Sequence, residues 1–274
     1  MAVKRSRRKI GWKYDLPTSK TVPRLDAQLR ELRVPPNVVD SIFLELPRST
    51  MKIRGCWLAG MTGVLVLYGY LLAVTLPPPH LWTFDFIVTE SLFVVAMGAI
   101  AVPFIRMELG FPRDEPIRFN RSRRKVYFYQ YNFDLVRPFG RKHWGIKTVA
   151  YDWDDLTAEA YRIYLPLGYG GIKEKVMISV TKTGTCEVID RLYLCDDIAL
   201  GESYWSIARA FMNQGASSLP PFVNPPRDWN EFPKRGRWVK APHRNPFDRL
   251  APKVKWPPEM DLESRTAGTA EHSP

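Results

Sequence analysis

The densest group of side chains able to do chemistry is Asp152, Asp154 and Asp155, within YDWDDLTAE. Carboxylates this close can hold a cation or exchange a proton. Either task needs partners, and no second cluster of acids, histidines or nucleophiles supplies them. The same run suits a turn at the end of a strand, with Asp side chains accepting backbone N–H groups, and that reading is preferred. His80, His143, His243 and His272 fall in separate segments, so no two share an element at metal-ligand spacing. Cys56, Cys186 and Cys195 are widely spaced and form neither a zinc pattern nor a disulfide framework. No GxSxG, P-loop or HExxH occurs. The expectation is a non-enzymatic protein with no cofactor and no metal.

One ionisable residue stands apart by its setting. Glu90 lies in the second of two long apolar runs, residues 55–76 (GCWLAGMTGVLVLYGYLLAVTL) and 84–105 (FDFIVTESLFVVAMGAIAVPFI). As a helix the first rises roughly 33 Å, against a hydrocarbon core of about 30 Å. Pro77, Pro78 and Pro79 stop it, because proline lacks the amide hydrogen and clashes with the preceding turn. The pattern predicts a transmembrane helical hairpin over residues 55–105. Lys52 and Arg54 flank one side and Arg106, Arg113 and Arg118 the other, while the connector has neither Lys nor Arg. By the positive-inside rule both termini then face the cytoplasm. Gly55, Ala59 and Gly63 recur at every fourth position and offer a small-residue face for helix packing against the second span, another copy or a foreign protein. Glu90 either snorkels to the outer head groups or turns toward the first helix or a partner. In the second case Thr62, Tyr68, Tyr70 and Thr75 are the hydroxyl donors within reach, and depth favours Tyr70 or Thr75.

The net charge of +12 is uneven. Lys4, Arg5, Arg7, Arg8 and Lys9 form one block, Arg121, Arg123, Arg124 and Lys125 a second, and Lys234, Arg235, Arg237 and Lys240 a third. Basic residues near an anionic leaflet are each worth about 1 kcal/mol, so the 121–125 block is a candidate lipid-binding turn. Nucleic acid is not expected as a partner, since no helix-turn-helix, zinc-finger or RNA-recognition signature accompanies the charge. MAVKRSRRK is followed by mixed sequence rather than a short apolar segment with a cleavage site, so a signal peptide is not expected.

The mean hydropathy of the whole chain, -0.24, is that of a water-soluble protein, so most residues outside the hairpin are expected to be ordinary aqueous protein. Residues 1–54 read as a basic cytoplasmic segment with one short amphipathic helix, because Val38, Val39, Ile42, Phe43 and Leu46 follow Pro36 at helical spacing. Residues 112–218 change period. Runs rich in Val, Ile, Tyr and Phe at 116–120, 126–132, 147–151, 160–165, 175–181 and 186–194 read as strands, and TKTG and NRSRRK as hairpin turns. GESYWSIARAFMNQG reads as a helix starting near Glu202 or Ser203, with Trp205, Ala208, Phe211 and Met212 on one face and Gly215 beyond its end. The fold class is α+β: a hairpin, then a mostly antiparallel β domain closed by one helix. That element order matches a pleckstrin-homology-like (PH-like) barrel, with an irregular α+β sandwich as the alternative. Residues 219–274 are a Pro-rich extension. Its aromatic residues Phe222, Trp229, Phe232, Trp238, Phe247 and Trp256 suggest partial docking, and the end from Asp261 is expected to be disordered.

The order of basic segment, two-span hairpin, RFNRSRRKVYFY, YDWDDLTAE, paired strands, one helix and a Pro-rich end closing in WPPEM resembles a group of uncharacterised bacterial two-pass membrane proteins with a PH-like cytoplasmic domain, associated with type VI secretion and toxin genes. The resemblance implies an inner-membrane protein and an immunity or accessory factor whose partner is a membrane-acting toxin or secretion protein. Membrane lipids and a second copy of the chain are the other partners in view. A membrane-anchored scaffold binding anionic head groups is the alternative function.

Overall fold

The computed structural model describes residues 9–23, 27–32, 34–48, 54–75, 77–134, 136–140, 142–165, 171–185, 187–224, 230 and 246–268. The basic residues 4–8 and 234–240, the aromatic residues Trp229, Phe232 and Trp238, and Cys186, His243 and His272 lie outside them.

Alternation along the strands builds two antiparallel sheets. Strands β1 (Trp12–Asp15), β2 (Val38–Val39), β3 (Phe43–Leu46), β4 (Ile117–Asn120), β5 (Lys125–Asn132), β6 (Gly145–Asp152), β7 (Leu156–Leu165), β8 (Gly171–Thr181) and β9 (Val188–Cys195) pair in the orders β2-β3-β4-β5-β6 and β1-β7-β8-β9. Ile117, Phe119, Val126 and Phe128 turn into the main core with Leu44, Leu46, Ile178 and Leu192. Tyr127 and Tyr129 point the other way, onto Val254, Trp256 and Met260 of the C-terminal extension. Both faces of β5 are therefore covered, which accounts for its almost unbroken aromatic and aliphatic run.

A one-turn corner at Trp153–Asp155 carries the chain from β6 to β7. The fully buried Trp153 ring packs edge-on against Phe119 at 5.8 Å and lies tilted against Trp205 at 4.9 Å. Trp205 belongs to α3 (Ile198–Gln214), which closes the core with Trp205, Ala208, Phe211 and Met212 buried on the expected face. The helix starts ahead of the Glu202 or Ser203 expected, because the Asp197 carboxylate accepts the Leu200 N–H at 2.7 Å and caps it.

Two helices join β3 to β4. Helix α1 (Cys56–Thr75) and helix α2 (Phe84–Gly110) are both long and apolar enough to cross a membrane. None of the α1 side chains is buried, and α2 buries only Ala101, Pro103 and Glu108. Leu46 pairs with Ile117 across adjacent strands, so residues 47–116 leave and rejoin the sheet at one end of the interior β3–β4 pair.

Three readings of the sequence need correction. Residues 36–46 form no helix: β2 and β3 fold on each other around a turn in which Asp40 accepts the Ser41 N–H at 2.7 Å. The described residues between 9 and 48 are part of the domain rather than a tail. β1 pairs with β7, Trp205 donates to the Pro17 carbonyl at 2.7 Å, and Tyr204 donates to the Val34 carbonyl at 3.0 Å. At the other end, Asp261 begins no disordered tail. It lies inside α4 (Pro258–Arg265), which packs on β4.

Candidate functional site

Distant parts of the chain converge on β4. With Ile117 and Phe119 directed inward, Arg118 and Asn120 face the C-terminal extension. Arg118 lies opposite Glu45 in the β3–β4 register and donates to its carboxylate at 2.5 Å. It also donates to Asp261 at 2.5 Å and Ser264 at 3.0 Å in α4, and its guanidinium lies 4.5 Å from the centre of the Trp256 ring. Asn120 donates to the Ser264 and Thr266 carbonyls at 3.0 and 2.9 Å, satisfying the end of α4. A cavity of about 610 Å³ opens beside this cluster, lined by Asn37, Glu45, Asp114, Arg118, Trp256 and Arg265 among others. The arrangement clasps α4 to the sheet through charge-assisted hydrogen bonds.

Buried polar groups also hold the points where the chain enters and leaves the hairpin. Arg48 donates to the carbonyls of Glu115 (2.9 Å), Tyr193 (3.1 Å) and Tyr129 (2.5 Å). Asp114 accepts the N–H groups of Arg48 (3.1 Å) and Glu115 (2.9 Å) and the Asn37 side-chain amide (3.1 Å). Burial pushes the Asp114 carboxyl up to about 7, with nearby Glu45 adding to the shift and the three N–H donors holding it down. In the unfolded chain the group titrates near its ordinary value of about 4. The native state therefore keeps a proton that the unfolded state has released, so this contribution is complete below about pH 4 and is lost as pH rises through about 7. Over that window it amounts to roughly 4 kcal/mol, at about 1.4 kcal/mol per pKa unit. Asp114→Asn should flatten the fall in stability between pH 4 and 7, measured by unfolding in mild detergent across a pH series. An unchanged slope would refute this.

At the hairpin base the Glu108 carboxylate accepts the N–H groups of Trp57 (2.9 Å) and Leu58 (3.1 Å), capping α1 from the end of α2. Arg54 donates to the Glu108 carbonyl and, at 2.9 Å, to the Pro112 carbonyl, and pairs with Asp248 at 3.3 Å. Trp57 stacks on Phe104 at 3.9 Å. Gly55 serves this base. It lies just before α1 with φ +86°, and a Cβ there would fall 2.2 Å from the Phe247 ring. Ala59 is exposed on α1, and a Cβ added at Gly63 meets nothing within 4 Å. Higher in the hairpin Glu90 accepts the Tyr68 hydroxyl. Thr62 and Thr75 instead donate to carbonyls of their own helix, and Tyr70 is exposed. Depth pointed to Tyr70 or Thr75; rotation about the helix axis selects Tyr68.

The 121–125 turn joins β4 to β5, at the end of β4 opposite the one that α2 feeds. Lys125 pairs with Glu263 at 3.2 Å, Arg123 donates to the Thr266 carbonyl at 3.3 Å, and Arg124 pairs with Asp154 at 2.7 Å; Arg121 stays exposed. Two of the acids at 152–155 take side-chain donors rather than the backbone amides expected of a turn: Asp154 accepts from Arg124, and Asp155 accepts the Thr183 hydroxyl at 2.6 Å. Among the described residues no three His, Cys, Asp or Glu side chains are placed to hold a metal. Burial raises the Cys195 thiol to about 12, so it stays protonated.

Sequence reasoning passed over Arg48, Glu108 and Asp114 and read Arg118 only as a flanking charge. A signal for Arg118 was present, as a lone cation between Ile117 and Phe119 in a strand. Its acceptor Glu45 is revealed only by the pairing of β3 with β4.

No curated protein and no solved structure matches the chain. Residues 94–268, more than half of it, match the model of a family of unknown function, DUF6708. The matched stretch opens within α2 and runs through α4, so the clasped extension belongs to the shared unit. The chain is therefore a member of DUF6708.

Proposed function

We propose that the protein is a membrane-anchored, non-enzymatic interaction protein, with α1 and α2 crossing the bacterial inner membrane and the α+β domain in the cytoplasm. The observation that carries this reading is the pairing of β3 with β4. Adjacent, hydrogen-bonded strands must lie in one compartment, so a hairpin inserted between them has both ends on the same side. Two exposed apolar helices need lipid or a partner around them, and basic residues on both outer flanks favour the cytoplasmic side. Two antiparallel sheets meeting at the Trp153 corner and closed by α3 support the PH-like reading.

The resemblance to two-pass proteins near toxin genes leads us to an immunity or accessory role, with the hairpin as the surface that meets a membrane-acting toxin. The lipid-scaffold alternative rested on Arg121, Arg123, Arg124 and Lys125. It has less support, because three of these residues are held by α4 and Asp154.

Alkaline phosphatase fused after Gly215 should be inactive in cells, and the same enzyme inserted in the 77–83 connector active. The reverse pattern would overturn the topology. Co-expression with a secreted effector encoded beside the gene should protect the cell, and the effector should coprecipitate with the protein from solubilised membranes. Neither protection nor coprecipitation would overturn the functional reading.

A further inference from the structure

The loop between β5 and β6 presents apolar side chains outward. Phe133 is 47 % exposed, Val136 89 % and Phe139 65 %. Solvated loops seldom display such residues together, and here they alternate with cations. Residues 133–147 contain Arg137, Arg141, Lys142, His143 and Lys147 against a single acid, Asp134. That acid is used internally, accepting the N–H groups of Val136 at 3.0 Å and Arg137 at 3.2 Å. Trp144 donates to the Arg137 carbonyl at 3.2 Å, and Gly140 donates to the same oxygen at 3.0 Å. The loop is thus shaped by its own hydrogen bonds.

Its position is fixed by α2. Arg106 donates to the Pro138 and Gly140 carbonyls, both at 2.8 Å, and its guanidinium lies 4.5 Å from the Trp144 ring centre. A hydrocarbon core of about 30 Å takes up about 20 helical residues, which from Phe84 ends near Pro103. Arg106 then stands within about one turn, roughly 5 Å, of the hydrocarbon edge. A loop hung from it lies at head-group level, where aromatic rings and cations are both favoured.

We propose that this loop is a membrane-surface finger. Val136 and Phe139 enter the head-group region of the bilayer that the hairpin crosses, and Arg137, Lys142 and Lys147 face anionic lipid phosphates. The domain is thereby held at a fixed tilt against the membrane rather than swinging from the hairpin. The inference rests on the reading that α1 and α2 span the bilayer, and its test separates the two.

Full-length protein with Cys56 and Cys186 replaced by serine would carry a spin label at one introduced cysteine, Val136→Cys, Lys182→Cys or Val66→Cys, in vesicles of phosphatidylethanolamine and phosphatidylglycerol. Lys182 is exposed in the β8–β9 turn, which Thr183 ties to the Trp153–Asp155 corner, and Val66 is exposed on α1. The expected result is a shift at Val136 from collision with an aqueous nickel complex toward collision with bilayer-dissolved oxygen, with Lys182 remaining aqueous and Val66 deep. A deep Val66 with Val136 as aqueous as Lys182 would overturn the finger alone. An aqueous Val66 would overturn the spanning hairpin and the finger with it.

Discussion

Replacing Arg118 with alanine should destabilise the folded chain by about 3–5 kcal/mol, the range for removing one partner of a buried ion pair. The Arg118 side chain is 4 % exposed and its partner Glu45 13 %, so the glutamate left behind stays largely cut off from water. The loss extends beyond charge, because the guanidinium also covers Trp256 and bridges β3 to α4. Unfolding in mild detergent would show the loss of stability, and limited proteolysis would show α4 released ahead of the rest. Replacing Arg118, Glu45 and Asp261 together with apolar residues of similar volume should recover much of the stability, since then no buried charge lacks a partner. A single Arg118→Ala variant as stable as the wild type would mean that α4 is held without this ion pair, by Trp256, Met260 and the contacts of Asn120, Arg123 and Lys125.

A second large effect is expected at the hairpin base. Glu108→Ala removes the acceptor for two N–H groups at the start of α1, at a cost of about 1–3 kcal/mol for each donor left unsatisfied. Glu108→Gln should fall between, because the amide oxygen can accept one N–H while its nitrogen accepts none. The same base holds Trp57 on Phe104, so the loosening is read as the fluorescence difference between each variant and the same variant carrying Trp57→Phe, which removes the signal of the other eight tryptophans. A Glu108→Ala variant as stable as the wild type would show that the carboxylate is not acting as the cap.

Much of this fold can be read from residue order, for identifiable reasons. The strands from Ile117 onward announce themselves because their partners are neighbours in sequence and their turns carry polar residues or glycine. The hairpin is legible because length and lack of charge are sufficient signals. Residues 36–46 mislead because Val38, Val39, Ile42, Phe43 and Leu46 fit a helical stripe equally well. What makes them strands is β4, far along the chain and invisible to any local window. The extension misleads in the opposite sense. Pro258 at the first turn and acids at Glu259 and Asp261 are start signals for a helix, but Pro-rich surroundings obscured them. The candidate site follows the same division. Glu90 was found by its setting and given a donor by depth, whereas Tyr68 required the rotational phase of two helices. Arg48, Glu108 and Asp114 are defined by what surrounds them, and their surroundings come from distant segments.

The hairpin between β3 and β4 also sets an order of events in time. β3 is synthesised before residues 47–116 and β4 after them, so at about 5–20 residues per second its sheet partner is missing for several seconds. Closing a flexible connection of that length costs about 4 kcal/mol beyond the constant term. Helices already paired, with Glu108 capping α1, bring the two ends together in advance and remove most of that cost. Completion of the five-stranded sheet then depends on prior assembly of the hairpin. A chain whose helices fail to assemble leaves β3 paired with β2 but open on its β4 side, a molecule that proteases can distinguish from the finished one.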